Sequence, residues 1–200
     1  GTGFANHAEF AAVPKNLVVK VPDLVSDEHA AFATLGAIAM QGVRLAKPLL
    51  GETFLVLGLG LIGQLSVQLL RANGCNVIGT DLDASLVDLA EQFGAVGISG
   101  EAVNACLELT GGHGVDGVLV CAGTSSNQPI ELCGEVTREK GRVVVVGAVR
   151  DRKGVASGKS VDLGGRRIIN TNIPPTSLPM MPSRNLSPFP PPPLASVPRF

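Results

Sequence analysis

One stretch of the sequence, residues 53–81, constrains the fold more than any other. It opens with an apolar run at 54–57, short and branched enough for a buried strand, and the pattern G-x-G-x-x-G follows at 58–63. A helical spacing of apolar residues comes next, and then a second strand that ends at Asp81, 18 positions after Gly63 (81 − 63). Such glycines between strand and helix, with an acid about 20 residues further on, are typical of a dinucleotide-binding unit.

Each glycine of this loop has a physical role in that interpretation. Gly58 permits a tight turn out of the strand, Gly60 lets the backbone approach a pyrophosphate, and Gly63 allows the helix to pack closely on the strand. Leu61 and Ile62 open the helix, whose free N–H groups and dipole favour phosphate binding. The alternative is a glycine-rich turn between strand and helix that binds no ligand.

The acid at the end of the second strand predicts which dinucleotide is bound. The carboxylate of Asp81 would accept hydrogen bonds from the ribose hydroxyls of NAD and would repel the 2′-phosphate of NADP. Leu82 follows and Asp83 adds a second negative charge, with no Arg beside them. We therefore predict NAD, with NADP less favoured; the alternative for Asp81 is a turn residue that caps a helix.

The rest of the central region alternates strands with helices, which predicts an α/β fold with a doubly wound parallel sheet. In such a sheet ligands bind outside the carboxyl ends of the strands, where Cys121, Ala122 and Gly147 are expected. Cys121 follows an apolar run and is interpreted as a buried thiol. The predicted strands are 54–57, 76–80, 96–98, 117–121 and 143–146, and the predicted helices are 28–35, 37–46, 62–72, 85–93, 101–109 and 130–137.

Both ends of the chain differ from this pattern. Residues 1–25 contain β-rich segments punctuated by prolines and are interpreted as the end of a β domain. After residue 149 the composition becomes charged, and ten of the fourteen prolines lie between 174 and 198. The sequence therefore predicts a β remnant at 1–25, a nucleotide-binding domain at 26–149, and a disordered, proline-rich tail at 150–200.

Composition excludes several classes of function. A net charge of −1, 4% aromatic residues and the lack of Trp and Tyr argue against nucleic-acid binding. The longest apolar tract, 54–70, is interrupted by polar residues and glycines, which argues against a membrane span. Four cysteines without a C-x-x-C pair, and no visible signal peptide, predict a reducing, cytoplasmic environment.

The ordered motifs from about residue 4 to 149 resemble the coenzyme-binding half of medium-chain, zinc-containing alcohol dehydrogenase-like enzymes. That family has a Rossmann coenzyme domain preceded by a GroES-like catalytic domain, so the resemblance implies that 1–25 is an incomplete remnant of the latter. It also places the nicotinamide and its ribose near Cys121, Ala122 and Gly147. The motifs are HAEFAAVPKNLVVKVPD, EHAAFATLGAIAMQGV, GETFLVLGLGLIGQLSVQLLRANGCNVIGTDLD, LAEQFGA, TGGHGVDGVLVCAG and KGRVVVVGAV.

The sequence departs from the family in two places. Leu35 stands where zinc members carry a cysteine ligand, and a leucine side chain has no donor atom, so we expect no metal site here. The family's last strand should follow Val149, where the tail stands instead. An unpaired sheet edge is therefore expected, which would put the family's homodimer in doubt.

Two hypotheses of function follow. In the first, the chain is part of an NAD-dependent oxidoreductase that transfers hydride between nicotinamide and a small alcohol or carbonyl substrate, with most of the catalytic domain absent. In the second, it is a dinucleotide-binding module or an inactive truncated product. The sequence identifies no catalytic acid or base.

Overall fold

The computed structural model describes residues 8–124 and 126–147, together with the backbone of 167–170. The elements are α1 (Asp27–Ala30), α2 (Ala33–Ala46), β1 (Thr53–Leu57), α3 (Leu61–Ala72), β2 (Asn76–Thr80), α4 (Ala84–Gln92), β3 (Val96–Ile98), α5 (Ala102–Leu109), β4 (Val115–Val120), α6 (Gln128–Val136), β5 (Thr137–Val145) and β6 (Arg167–Asn170). These six strands form a parallel sheet in the order β3-β2-β1-β4-β5-β6.

Helices cover both faces of the sheet, as predicted for a doubly wound fold. Phe54 and Val56 of β1 are buried on one face among residues of α2, α3 and α4. Leu55, between them, is buried on the other face with residues of α5 and α6. Alternate side chains of a strand point to opposite faces, so a run that is apolar at every position needs a layer on each side. The predicted α/β fold with a Rossmann-like parallel sheet is confirmed.

The predicted break between the first two helices is in the wrong place. Ser26 caps α1, accepting a hydrogen bond from His29 N at 3.3 Å. Gly36 was expected to separate two helices, but it lies inside α2. A glycine costs a helix only about 1 kcal/mol relative to alanine, and the buried face of α2, which includes Ala39 and Val43, offsets that cost.

The β-rich segments expected before residue 26 do not form strands in the part that the structure describes. Residues 8–25 contain a single 3₁₀ turn, Lys15–Leu17, and Val19 is 85% exposed. A strand is stabilised by hydrogen bonds to a neighbouring strand, and no described strand lies beside this segment. The assignment of 1–25 to a catalytic-domain remnant stays a prediction.

The fourth and fifth strands begin earlier than predicted. Val115 pairs with Thr137, and the register then shifts, so that Gly117 pairs with Arg142. The extra residues of β5 form an irregular, charged segment in which Lys140 has a φ of 61°. Because this segment is polar, the apolar pattern of the sequence revealed only the second half of the strand.

The sheet does not end at β5. The backbone of β6 pairs with β5 in parallel, with Val143 opposite Ile168 and Val144 opposite Ile169. The expectation of an unpaired edge strand is therefore wrong. The sequence did not predict β6, because four residues flanked by polar sequence are too few for a recognisable strand pattern until a partner strand is known. The rest of the predicted disordered tail lies outside the described residues.

Within residues 8–124 and 126–147, no helix is both long and apolar enough to cross a membrane.

Candidate functional site

The glycine loop lies at the carboxyl edge of the sheet, between β1 and α3. Gly58 has a φ of 91°, and a Cβ there would lie 2.5 Å from the Ala122 nitrogen. A Cβ on Gly63 would overlap the carbonyl oxygen of Gly58. A Cβ on Gly60 would meet no atom within 4 Å. The first and last glycines are therefore required by the fold, whereas Gly60 turns bare backbone toward open space.

The N-terminus of α3 is the polar feature that this open space exposes. Gly60 occupies the N-cap position and has no side chain to bond the first-turn N–H groups, including those of Leu61 and Ile62. Gln64 N, one turn further on, donates to Gly60 O at 2.9 Å. Free N–H groups at the start of a twelve-residue helix can bind an anion such as a phosphate.

Asp81 follows β2 and reaches back to the loop. Its Oδ2 accepts a hydrogen bond from Leu59 N at 2.6 Å, and its Oδ1 accepts one from Asp83 N at 3.0 Å. The structure thus brings Asp81 to the glycine loop, as the spacing predicts. The contact with the loop amide was missed, since it depends on the distance between neighbouring strand ends and not on a sequence pattern.

The residues after Asp81 carry a second negative charge. Asp83 caps α4, and its Oδ1 accepts hydrogen bonds from Ser85 N at 2.9 Å and from Ser85 Oγ at 2.7 Å. These bonds hold the pKa of Asp83 below its usual value, so it is ionised at neutral pH. Leu82 is fully exposed.

The predicted residues after β4 and β5 lie beside the loop. Cys121 N and Ala122 N both donate to Leu57 O, at 2.8 and 3.0 Å. Gly147 N donates to Val120 O at 2.9 Å, and a Cβ on Gly147 would overlap the carbonyl oxygen of Ala122. Cys121, Ala122 and Gly147 are therefore packed together at the same edge as Gly58, although their role toward a ligand stays a prediction.

The Cys121 thiol is not a reactive group in this setting. Its Sγ lies 3.7 Å from Ser66 Oγ, and burial raises the pKa of the Cys121 thiol to about 11. The thiol is therefore protonated at neutral pH, which makes it a poor nucleophile.

Gln64, which no sequence motif singles out, lies behind the loop. Its Nε2 donates to Leu59 O at 2.9 Å and to Leu86 O at 2.8 Å, and only 6% of the residue is exposed. The signal that could have identified it is a polar residue directly after the last glycine, on the buried face of a helix.

The described residues do not fit a zinc ion. Leu35, at the position where the resemblance implies a cysteine ligand, lies half-buried in α2 and has no donor atom. Across residues 8–124 and 126–147, no three His, Cys, Asp or Glu side chains are grouped so that they could hold a metal ion.

Comparison with known proteins identifies a family and relatives of similar sequence. The sequence profile of the family described as "Zinc-binding dehydrogenase" matches residues 62–177, and so extends beyond residue 149, where the resembling motifs end. The chain is 30% identical over 148 residues to the uncharacterized zinc-type alcohol dehydrogenase-like protein YphC of Escherichia coli (strain K12), covering 70% of this chain and 41% of that protein. It is 37% identical over 95 residues to an alcohol dehydrogenase of Geobacillus stearothermophilus, covering 44% of this chain and 27% of that enzyme.

A solved structure agrees in fold. The putative zinc-binding dehydrogenase of Sinorhizobium meliloti 1021, bound to NADP, superposes with a TM-score of 0.69 at 28% identity. The match covers 79% of this chain and 48% of that protein. The chain thus spans less than half the length of each of these three proteins.

Proposed function

The chain belongs to the zinc-binding dehydrogenase family, and on that premise we propose that it binds NAD at the glycine loop and serves in hydride transfer. The substrate class proposed for the whole protein is a small alcohol or the corresponding carbonyl compound. The observation that carries the proposal is the open space above Gly60, beside the uncapped start of α3. A pyrophosphate is the group that such backbone accommodates best, since it needs close approach and several N–H donors.

The acidic groups after β2 support NAD over NADP. A 2′-phosphate held near Asp81 would be repelled by that carboxylate and by Asp83, which is ionised at neutral pH. Ribose hydroxyls, by contrast, can donate to a carboxylate. Family membership alone does not decide between the two cofactors, because the Sinorhizobium meliloti relative binds NADP.

In the proposed reaction the nicotinamide carries the hydride and the protein positions it. Cys121, Ala122 and Gly147 offer closely packed backbone on which the ring could rest, and the raised pKa of Cys121 argues against a nucleophilic role. No step is assigned to zinc, because the described residues do not fit it. No acid or base for the reaction is assigned either.

A second candidate is a module that binds the dinucleotide without turnover. Leu35, which replaces the cysteine ligand of the zinc members, is the observation that favours it. Formation of NADH from NAD and an alcohol by the purified chain would exclude this candidate.

The cofactor proposal is tested by titrating the wild type and Asp81→Asn with NADH and with NADPH. Asparagine can still accept the hydrogen bond from Leu59 N but has no charge. We expect the wild type to prefer NADH, and Asp81→Asn to reduce that preference roughly tenfold, because one unfavourable charge interaction with the 2′-phosphate is removed.

Asp81→Ala is the control, since it removes both the charge and the contact with the loop. It should weaken binding of both cofactors in addition to changing their ratio. A wild type that binds no NADH would refute the proposal. An unchanged ratio in Asp81→Asn would refute the role of Asp81 in selecting the cofactor.

A further inference from the structure

Leu59, between the first two glycines of the loop, is held by contacts to its backbone and to its side chain. Its N–H donates to Asp81 Oδ2 at 2.6 Å, and its carbonyl oxygen accepts from Gln64 Nε2 at 2.9 Å. Its side chain is fully buried in the core that α3 and α4 share with the sheet. The peptide groups on both sides of Leu59 are therefore fixed without any ligand.

Gly79 of β2 provides the room for this side chain. A Cβ on Gly79 would lie 3.1 Å from Leu59 Cδ2 and 3.3 Å from Leu59 Cδ1. Distances this short would force the leucine to move. The absence of a side chain at Gly79 thus helps to set the position of the loop.

Gln64 bonds two parts of the site at once. The two hydrogens of its Nε2 are both used, one on Leu59 O in the loop and the other on Leu86 O in α4, at 2.8 Å. Its Oε1 is buried and has no hydrogen-bond partner among the residues that the structure describes. Burial of an unpaired oxygen is unfavourable, so any stabilisation that Gln64 gives to the loop comes from its two N–H donors and not from its burial.

We propose that Gln64 is a positioning residue, which together with Asp81 holds the Leu59 backbone so that the glycine loop is formed before the cofactor binds. Through Leu86 it also ties the loop to α4, whose first turn follows the acidic residues at Asp81 and Asp83. This inference rests on the proposed binding of a dinucleotide. A loop that is already ordered loses little conformational entropy on binding, so the apparent affinity is higher.

The experiment compares the wild type with Gln64→Met, which keeps the length of the side chain and removes both donors. The matched control is Gln68→Met, one turn later in α3, where the side chain is exposed and donates to Gln64 O at 3.3 Å. Dissociation constants for NADH and NADPH are measured by fluorescence titration. Exchange of the Leu59 and Val56 amide protons is measured by NMR in the absence of cofactor.

We expect Gln64→Met to weaken the binding of NADH and of NADPH by about tenfold each and to leave the ratio of the two dissociation constants unchanged. Exchange of the Leu59 amide should accelerate while that of Val56, inside β1, does not, since only the loop is released. Gly79→Ala is a second, independent perturbation of the same residue, and it should also accelerate Leu59 exchange. Gln68→Met should behave as the wild type.

Two outcomes would overturn the inference. One is equal NADH affinity in the wild type and Gln64→Met; the other is faster exchange at Leu59 and Val56 together, which would mean a general loss of stability. If the wild type binds neither cofactor, the proposed function fails. The exchange data then still decide whether Gln64 orders the loop.

Discussion

At the scale of single residues, the loop depends on where side chains are absent. Gly58 and Gly63 are needed because neighbouring backbone occupies the space of a Cβ, whereas Gly60 leaves space free for a ligand. The same residue type therefore meets two different requirements within six positions. Asp81 accepts a hydrogen bond from the loop at Leu59 N, and its role toward a ribose is the one proposed above.

Substitution of Gly58 should damage both stability and binding. In Gly58→Ala the new Cβ would lie 2.5 Å from Ala122 N, and the backbone would keep a φ of 91° that alanine disfavours. We expect the free energy of unfolding to fall by about 1–3 kcal/mol and NADH binding to weaken at least tenfold. Urea unfolding and fluorescence titration measure the two effects.

Gly36→Ala is the control for that substitution. Gly36 lies in α2, and a Cβ there would meet no atom within 4 Å. Alanine should stabilise the helix by up to about 1 kcal/mol and leave NADH binding unchanged. Wild-type stability and affinity in Gly58→Ala would contradict the geometry described for the loop.

At the scale of helices and strands, contacts far from the proposed site join neighbouring strands at their amino ends. The Asp116 Oδ2 accepts a hydrogen bond from Thr53 N at 2.8 Å, and its Oδ1 pairs with Arg138 Nε at 2.6 Å. One carboxylate near the start of β4 thus fixes the beginnings of β1 and β5.

Removal of this carboxylate should reduce stability and spare cofactor binding. We expect Asp116→Ala to lower the free energy of unfolding by about 1–3 kcal/mol, because the Thr53 amide and the Arg138 guanidinium each lose a carboxylate oxygen as hydrogen-bond acceptor. NADH affinity should stay within about twofold of the wild-type value, since the length of β1, at roughly 3.3 Å per residue, separates Asp116 from the glycine loop. Asp88→Ala, at an exposed position of α4, is the control and should change stability by less than about 0.5 kcal/mol. A large loss of NADH affinity in Asp116→Ala would show that Asp116 and the glycine loop are coupled.

At the scale of the whole molecule, the apolar layers on the two sides of the sheet both contact cysteines. Cys106 in α5 and Cys133 in α6 are buried in the layer that packs on Leu55, while Cys121, predicted to be buried, is only partly buried against the other layer. Burial raises the pKa of Cys106 and Cys121 to about 11 and that of Cys133 to about 12. These thiols are therefore neutral in the folded protein over the whole physiological range.

The raised pKa values predict a loss of stability in alkali. An unfolded thiol ionises near pH 9.0, whereas the folded protein keeps the proton to about pH 11 or 12. The stabilisation is therefore complete below pH 9 and is lost as the pH rises toward the folded values, by up to about 1.4 kcal/mol per pH unit for each thiol. Urea unfolding under reducing conditions at pH 8, 9 and 10 measures this slope.

Cys133→Ala is the matched variant for the alkaline measurement. It should be less stable at pH 8 because of the cavity, and its stability should decline less steeply above pH 9 because one thiol is missing. Equal slopes in the wild type and the variant would contradict the assignment.

The outermost strand of the sheet affects the prediction of a homodimer. The doubt about a homodimer arose from an unpaired β5, and β6 removes that reason, because it pairs with β5 along four residues. A homodimer stays a prediction, which the molecular mass in solution would test.

The sequence by itself determined the alternation of strands and helices, the glycine loop, and the placement of Asp81, Cys121 and Gly147 at the carboxyl edge. These features follow from short-range causes: side-chain periodicity decides which face of an element is buried, and backbone sterics decide where glycine is needed. Both can be recognised within a few neighbouring residues.

Only the tertiary structure decided which groups bond across the fold. Leu59 and Asp81 are 22 positions apart, and Thr53 and Asp116 are 63 apart, so no local pattern connects either pair. The two acceptors of Gln64 lie on different elements, and β6 is a strand only because β5 lies beside it. These contacts depend on how the elements pack in space, and packing joins residues that the sequence keeps far apart.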